Sequence, residues 1–330
     1  MGRERSRTTL VTGGAGFIGS HLVERLVERG DHVVVVDNLS TGRLENLERV
    51  PPDRLSFIEA SVTEAMPELT TRQFDEIYHL AAAVGVRLVV EQPIQTIETN
   101  VMETSELLRF AAERGTPFLL ASTSEIYGKS LRTPFAETDD VVYGPTTFHR
   151  WSYACSKAID EYLALAHARE HALPVVIARL FNTVGPRQIG SYGMVLPRFV
   201  AAARAGEPLQ VYGDGRQTRC FCDVREIAPL LVTMLANEAC LGKVLNVGRD
   251  EPISIRDLAA LVVEVLESDS PVEHVANDEV YGPGFEDLRE RRPDLSRLCA
   301  ATGFSPRIPL EQTIRDLADS MALSAASMDP

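Results

Sequence analysis

The sequence predicts an α/β fold with a doubly wound parallel sheet and a smaller lobe after it, and two observations carry that reading. Short apolar runs alternate with segments of helical period through the first half of the chain. The first of these runs turns through a cluster of glycines directly into a helical pattern. Strands that alternate with helices need right-handed crossovers, and these build a parallel sheet with helices on both faces. Ligands then sit at the carboxyl ends of the strands.

The glycine cluster lies in Thr9-Leu-Val-Thr-Gly-Gly-Ala-Gly-Phe-Ile-Gly-Ser-His-Leu-Val23. Thr9–Thr12 reads as a strand and Phe17–Val27 as a helix. Gly13 permits a tight turn, Gly16 lets backbone approach a pyrophosphate, and Gly19 lets helix and strand pack closely. The helix N-terminus directs N–H groups and a positive dipole at the phosphates. Val33–Val36 reads as the second strand, and Asp37 closes it roughly 20 residues after the glycines. A carboxylate there accepts from an adenosine ribose and repels a 2′-phosphate, which predicts a Rossmann cradle for NAD rather than NADP.

In order, a polar helix is expected around Leu44–Arg49, a third strand at Leu55–Ile58 and a fourth at Glu76–Leu80. A helix follows at Ile97–Glu113, a fifth strand at Phe118–Ala121, a long helix at Tyr153–His171 and a sixth strand at Pro174–Leu180. From Asn182 glycine, proline and arginine become frequent, as expected of a lobe closing over a ligand. Lys243–Gly248 reads as a strand added to the large sheet, and Ile255–Leu266 and Leu310–Met321 as amphipathic helices. The expected division is residues 1–182 with about 221–248 for the NAD-binding domain, and 183–220 with 249–330 for the lobe that closes over the ligand.

A chain of 330 residues with 45% hydrophobic residues has a substantial core. Its formal net charge of -14 argues against nucleic acid or an anionic membrane surface as partner. Met1–Arg7 leads into the first strand with no apolar core, so neither a secretory signal nor a membrane span is expected, and a cytoplasmic protein is. The five cysteines, Cys155, Cys220, Cys222, Cys240 and Cys299, form no paired zinc spacing, so reduced thiols and no metal are expected. Cys220-Phe-Cys222 reads as part of one strand.

Tyr153-Ala-Cys-Ser-Lys157 carries the first catalytic signal. Residues i and i+4 share a helix face, and an ammonium near a phenol favours the phenolate, a base for a sugar hydroxyl. The strand end Ala121-Ser-Thr-Ser-Glu125 offers Ser122 and Thr123 to a substrate hydroxyl or carbonyl, and Glu125 as a carboxylate beside the cofactor.

With His79-Leu-Ala-Ala82, Thr99-Asn-Val101 and Ser122–Gly128, these motifs resemble the extended short-chain dehydrogenase/reductase superfamily of nucleotide-sugar epimerases, dehydratases and decarboxylases. The resemblance spans nearly the whole chain. Arg150–Lys157, Arg219–Val224 and Tyr281–Pro293 are most similar to UDP-glucuronic acid decarboxylases. One departure stands out. Where the family often places an acidic residue before an apolar one to bind adenine, this chain has Ser61-Val62.

The resemblance implies NAD held by Gly13, Gly16, Phe17, Ile18 and Gly19, by Asp37, Asn38, Ser40, Thr41 and Gly42, by Ser61 and Val62, by Leu80, Ala81 and Ala82, and by Asn100, Ser122, Tyr153 and Lys157. It implies a UDP-sugar held by Arg87, Thr123, Ser124, Glu125, Asn182, Arg187, Val195, Gln210, Tyr212, Arg219 and Arg291. Tyr153 would act as base at the sugar C4 hydroxyl, Lys157 would lower its pKa, Thr123 would bind O4, and Glu125 and Arg291 would assist loss of carbon dioxide and reprotonation. The product would be UDP-xylose, or UDP-4-keto-xylose if the hydride is kept. Ser124-Glu125 lacks the Asp-Glu pair of dTDP-glucose-type 4,6-dehydratases, and a carboxylate at 125 argues against a plain 4-epimerase. A 4-epimerase, a 4,6-dehydratase or a non-catalytic NAD-binding regulator are the alternatives. The helices at Ile97–Glu113 and Tyr153–His171 would form a homodimer interface, as is common in the superfamily.

Overall fold

The computed structural model describes residues 6–83, 92–190, 194–276 and 288–326. The chain opens with β1 (Thr8–Thr12), α1 (Phe17–Arg29), β2 (His32–Asp37), β3 (Leu55–Glu59), α2 (Val62–Leu69) and β4 (Glu76–His79). It continues through α3 (Pro93–Arg114), β5 (Phe118–Thr123), α4 (Arg150–His171), β6 (Val175–Leu180) and β7 (Thr183–Val184). The second half holds α5 (Val195–Ala205), β8 (Leu209–Tyr212), β9 (Thr218–Cys220), β10 (Cys222–Asp223), α6 (Val224–Ala236) and β11 (Lys243–Val247). β12 (Pro252–Ser254), α7 (Ile255–Val265), β13 (Val272–Val275), β14 (Glu290–Arg291), α8 (Ser296–Thr302) and α9 (Leu310–Ala326) complete it.

Seven strands form one parallel sheet in the order β11-β6-β5-β4-β1-β2-β3. The order reverses between β1 and β4, which opens a crevice at their carboxyl ends. Leu10 and Val11 are successive residues and both fully buried, as a sheet covered on both faces requires. One face carries Val11, Val35, Leu119 and Ala178 under α1 and α6. The other carries Leu10, Val34, Ile77 and Leu120 under α2, α3 and α4. A third core gathers Leu196 and Phe199 of α5, Val211 of β8, Leu258 of α7 and Leu317 of α9, so the later segments bury a core of their own.

The expected strands of the large sheet are all present, β11 included. Four helices went unread: α2, α5, α6 and the short α8. Ser61 caps α2 through a reciprocal capping box with Glu64, and Pro67 and Pro229 stand inside α2 and α6, where each reads as a helix breaker. Pro197 stands in the first turn of α5, where a missing N–H costs nothing. The segment expected to be helical at Leu44–Arg49 is a short 3-10 turn over Leu44–Leu47. The Cys220-Phe-Cys222 strand is also corrected. It breaks at Phe221, because Cys220 pairs antiparallel with β12 while Cys222 pairs parallel with β7.

The break puts Asp223 at the start of α6, where it accepts from the Arg225 N–H at 2.8 Å. The same buried carboxylate takes the Arg225 guanidinium at 2.8 and 2.7 Å and the Thr313 hydroxyl of α9 at 2.7 Å. Burial pushes its pKa up, but these donors outweigh burial and hold it below the ordinary value. Asp223→Ala should cost about 3 kcal/mol of stability, from loss of the helix cap and of the charged acceptor that Arg225 and Thr313 share, read by urea unfolding at pH 7. A depressed folded pKa stabilises above the unfolded value. The wild-type advantage over the variant should therefore be full above about pH 4 and shrink as pH falls through the folded value.

Candidate active site

A groove of about 630 Å³ runs along the carboxyl ends of the sheet, from Gly13 and Asp37 at one end to Glu125, Tyr153 and Arg291 at the other. Its first wall is the β1–α1 turn. The Gly13 N–H donates to Val36 O at 2.8 Å, and Gly13 has φ +70°. A Cβ on Gly13 would lie 2.8 Å from the Ala81 amide nitrogen, and one on Gly19 would lie 2.0 Å from the Gly13 carbonyl oxygen. Neither position has room for a side chain. No side chain caps α1 at Gly16, so its first-turn N–H groups are left to an anion.

Asp37 stands at the end of β2 and accepts from the N–H groups of Ala15 and Leu39, each at 2.9 Å. Burial raises its pKa, and the N–H groups of Leu39, Ala15 and Gly16 oppose the rise. A Cβ on Gly42 would lie 2.8 Å from the Asp37 carboxylate, so glycine lets this loop fold over the acid. Phe17, Ile18, Asn38, Ser40, Thr41, Ser61, Val62, Leu80, Ala81 and Ala82 line the same groove. Asn100 is a brace instead. Its Oδ1 accepts from Ala83 N–H at 2.8 Å, and its amide donates to the Ser156 hydroxyl at 3.1 Å. The cradle and its acid fit a dinucleotide, with backbone where a pyrophosphate must come close.

At the other end, β5 delivers Thr123, whose hydroxyl accepts from the Glu125 N–H at 3.2 Å and caps a short turn, Ser124–Tyr127. Ser122 also lines the groove, but its hydroxyl is committed elsewhere. Its hydroxyl donates to Glu161 at 2.5 Å, and Glu161 forms a buried pair with Arg179 at 2.7 Å. α4 brings Tyr153, hydrogen-bonded to Thr123. Burial, then the charges of Glu125 and Asp160, push the phenol up, against the smaller pulls of Thr123 and Arg291. Lys157 lies one turn on, buried, with its ammonium 2.9 Å from the Asp160 carboxylate. In this state the lysine answers Asp160, and the phenol stays protonated. Behind them His79 lies between the Thr12 and Thr104 hydroxyls at 2.7 and 2.9 Å. Burial and the Lys157 charge push it down to about 3, so it is neutral.

Arg291 reaches the site from 166 residues downstream to pair with Glu125. β14 sets it beside β9, with Arg291 and Arg219 as register partners. Phe135 fixes the following residues by accepting from Asp294 N–H and donating to Arg292 O, both at 2.8 Å. Arg291 is buried, and its Nε finds no partner among the described residues.

Thr123, Ser124, Glu125, Tyr153, Asn182, Val195 and Arg291 share the groove. Others of the expected substrate set lie elsewhere. Arg187 is drawn to α1, donating to Ser20 at 3.1 Å and pairing with Glu24. Arg219 donates to the carbonyls of Thr218 and Leu288, both at 2.8 Å. Tyr212 lies under the Arg198 guanidinium at 3.9 Å, and Gln210 gives its carbonyl to the same arginine at 3.1 Å. Arg87 falls outside the described residues. The sequence reading missed the α3 wall, formed by Gln95, Thr99 and Glu103. Their four-residue spacing on one helix face was the available signal.

The profile of the family described as "NAD dependent epimerase/dehydratase family" matches residues 9–248. The chain is 41% identical over 310 residues to a UDP-N-acetyl-alpha-D-glucosaminuronate decarboxylase of Bacillus cytotoxicus, covering 93% of this chain and 95% of that one. It is 38% identical over 313 residues to UDP-glucuronic acid decarboxylase 1 of Arabidopsis thaliana, covering 94% and 69%. Its fold superposes with a TM-score of 0.86 on a UDP-glucuronic acid 4-epimerase variant of Bacillus cereus, in complex with UDP-4-deoxy-4-fluoro-glucuronic acid and NAD. Identity there is 26%, covering 96% of this chain and 99% of the other.

The glycine geometry makes a prediction. Gly13→Ala places a Cβ against the Ala81 backbone at a positive φ, and should weaken NADH binding by at least about ten-fold. A titration of nicotinamide fluorescence reads this, and affinity equal to the wild type would refute the close-approach argument.

Proposed function

We propose what this chain does from one premise: it belongs to the NAD dependent epimerase/dehydratase family. NAD is its cofactor, and it is a UDP-hexuronic acid decarboxylase with UDP-glucuronic acid as substrate. The observation that carries this is the Glu125–Arg291 pair, set in the same groove as Thr123 and Tyr153. Curated decarboxylases of UDP-glucuronic acid at 33 to 38% identity, over most of this chain, support it. The relative at 41% acts, by its name, on the 2-N-acetyl counterpart, which makes that compound the second substrate to test.

When bound, NAD supplies a hydride acceptor for sugar C4. Tyr153 and Thr123, hydrogen-bonded to each other, are assigned to the C4 hydroxyl, with Tyr153 taking its proton as the phenolate, which the charges of Lys157 and of a bound nicotinamide cation would favour over the protonated phenol of the free protein. Lys157, held by Asp160, keeps a positive charge one helical turn away to meet the phenolate. A C4 ketone is β to the C6 carboxylate, so the C5–C6 bond can break with its electron pair passing into the ketone. Carbon dioxide leaves, and Tyr153 and Thr123 hold the enolate oxygen. Glu125 handles the proton returned to C5, and Arg291 binds the acid before it is lost. Loss of the substrate carboxylate removes a negative charge from a groove already holding Glu125. Return of the hydride to C4 gives UDP-xylose; its retention gives UDP-4-keto-xylose.

The larger domain, residues 1–182 with about 221–248, is assigned to NAD, and 183–220 with 249–330 to the UDP-sugar. A homodimer is part of the proposal. α3 and α4 pack together and still expose Ile94, Ile97, Met102, Ile159 and Tyr162, with Ile94 and Tyr162 each 71% exposed. Such a patch favours a second copy. No described helix is long and apolar enough to cross a membrane; together with five free cysteines, this supports placing the protein in the cytoplasm.

Incubation with UDP-glucuronic acid and NAD should release carbon dioxide and yield UDP-xylose, its 4-keto form, or both, by proton NMR and mass spectrometry. Tyr153→Phe should lower turnover by at least about 100-fold, the scale of general base catalysis. A mass-neutral product such as UDP-galacturonic acid would replace the proposal with an epimerase. Turnover of only the 2-N-acetyl compound would move the substrate. Light scattering should give a dimer mass, and Met102→Glu with Tyr162→Glu should shift it to a monomer; a wild-type monomer would refute the interface.

A further inference from the structure

The adenine end of the groove poses a problem that the chain solves in an unexpected place. Ala60, Ser61 and Val62 line that end with Asp37, yet Ser61 has nothing to offer a base. Its N–H donates to Glu64 at 2.9 Å, its hydroxyl donates to the same carboxylate at 2.7 Å, and it accepts the Glu64 N–H at 3.3 Å. The capping box of α2 uses every polar group of the residue. Across the groove, α3 contributes Glu103, a lining residue only 9% exposed. The backbone N–H of Val62 faces its carboxylate. The charges that bear on it are negative, Glu106 on its own helix and Glu64 on α2. Glu106 is itself tied to the Thr63 hydroxyl at 2.8 Å. Burial first, and those two charges with it, push the Glu103 pKa up to about 7, against the Val62 N–H.

A nearly buried carboxylate flanked by like charges costs stability unless a ligand uses it. What the groove presents here is an acceptor, Glu103, next to a donor, Val62 N–H. The amidine edge of adenine is the complement: an exocyclic N6–H donor next to the N1 acceptor. We propose that Glu103 reads the adenine of NAD, accepting N6–H while Val62 N–H donates to N1, and so supplies from α3 the carboxylate that position 61 lacks. The inference rests on NAD as the cofactor and deepens that reading. Free of dinucleotide, the two groups satisfy one another; adenine would take both.

Reduced nicotinamide hypoxanthine dinucleotide is the probe, compared with NADH by nicotinamide fluorescence on the full-length protein after bound dinucleotide has been exchanged off. Hypoxanthine inverts the edge, with a carbonyl at C6 and N1–H, so it meets a carboxylate with an acceptor and an N–H with a donor. The wild type should bind NADH at least about ten-fold more tightly than the hypoxanthine analogue. Glu103→Gln, whose amide can accept from N6–H or donate to O6, and Glu103→Ala should cut the wild-type ratio by at least about three-fold, chiefly by weakening NADH, while the mismatch at the Val62 N–H remains. Wild-type affinity for NADH should rise between pH 6 and pH 8 as the acid ionises, and Glu103→Gln should not show the rise. Equal affinities in the wild type, or wild-type discrimination in both variants, overturns the inference and leaves NAD in place. Failure of the wild type to bind either dinucleotide overturns the NAD reading itself. The wild-type ratio needs no variant to fold.

Discussion

The site depends on a contact that contains no side chain. The Gly13 carbonyl lies where a Cβ on Gly19 would come within 2.0 Å, and the other side of Gly13 lies against the backbone of Ala81. β1, α1 and the end of β4 are therefore as close as backbone permits. Everything beyond follows from that approach. The crevice between β1 and β4 stays shallow enough for the uncapped α1 N-terminus to meet a pyrophosphate. Asp37, one strand over, is brought within hydrogen-bonding reach of Ala15 in the same turn. A single methyl group at either glycine would wedge this junction open.

The opposite end of the groove is held by charge. Glu125 follows a short turn capped by Thr123, and Arg291 comes from a two-residue strand paired to β9. Two elements from distant parts of the chain thus meet in one part-buried pair, with Tyr153 beside it. Below the same strand end, Ser122, Glu161 and Arg179 form a second buried set, and the Arg179 guanidinium lies 4.8 Å over the Tyr127 ring. Tyr127 in turn donates to Asn246 of β11 at 2.6 Å. These contacts fix β5, β6 and β11 to one another where the reacting groups emerge, so the turn carrying Glu125 stands on a polar framework with satisfied partners.

An acidic chain that takes up an anionic sugar nucleotide needs its cations placed individually. Several arginines serve the protein itself: Arg187 holds Glu24, Arg219 binds two carbonyls, and Arg225 binds Asp223 and Asp316. Among the described residues, Arg291 is the one arginine that lines the groove, and its Nε has no partner there. The net charge says nothing of this, because it sums over groups whose fields are neutralised locally.

The sequence by itself determined the strands of the first half, the glycine cradle, Asp37 as the acid beside it, and the Tyr153/Lys157 and Thr123/Glu125 pairs. These are local signals: a glycine is legible where only backbone fits, a buried parallel strand is a continuous apolar run, and residues four apart share a helix face. Tertiary structure alone decided the rest. It paired Lys157 with Asp160 instead of leaving it to the phenol, turned Ser122 towards Glu161, sent Arg187 to α1, and carried Glu103 across to Val62. Helices α2, α5 and α6 escaped notice because prolines stand inside or at the head of them, and propensity cannot see the packing that overrides it. The physical reason is the same throughout. A side chain's type and local spacing are written in the chain, but its partner is chosen by which burials and charges compete for it once distant segments meet.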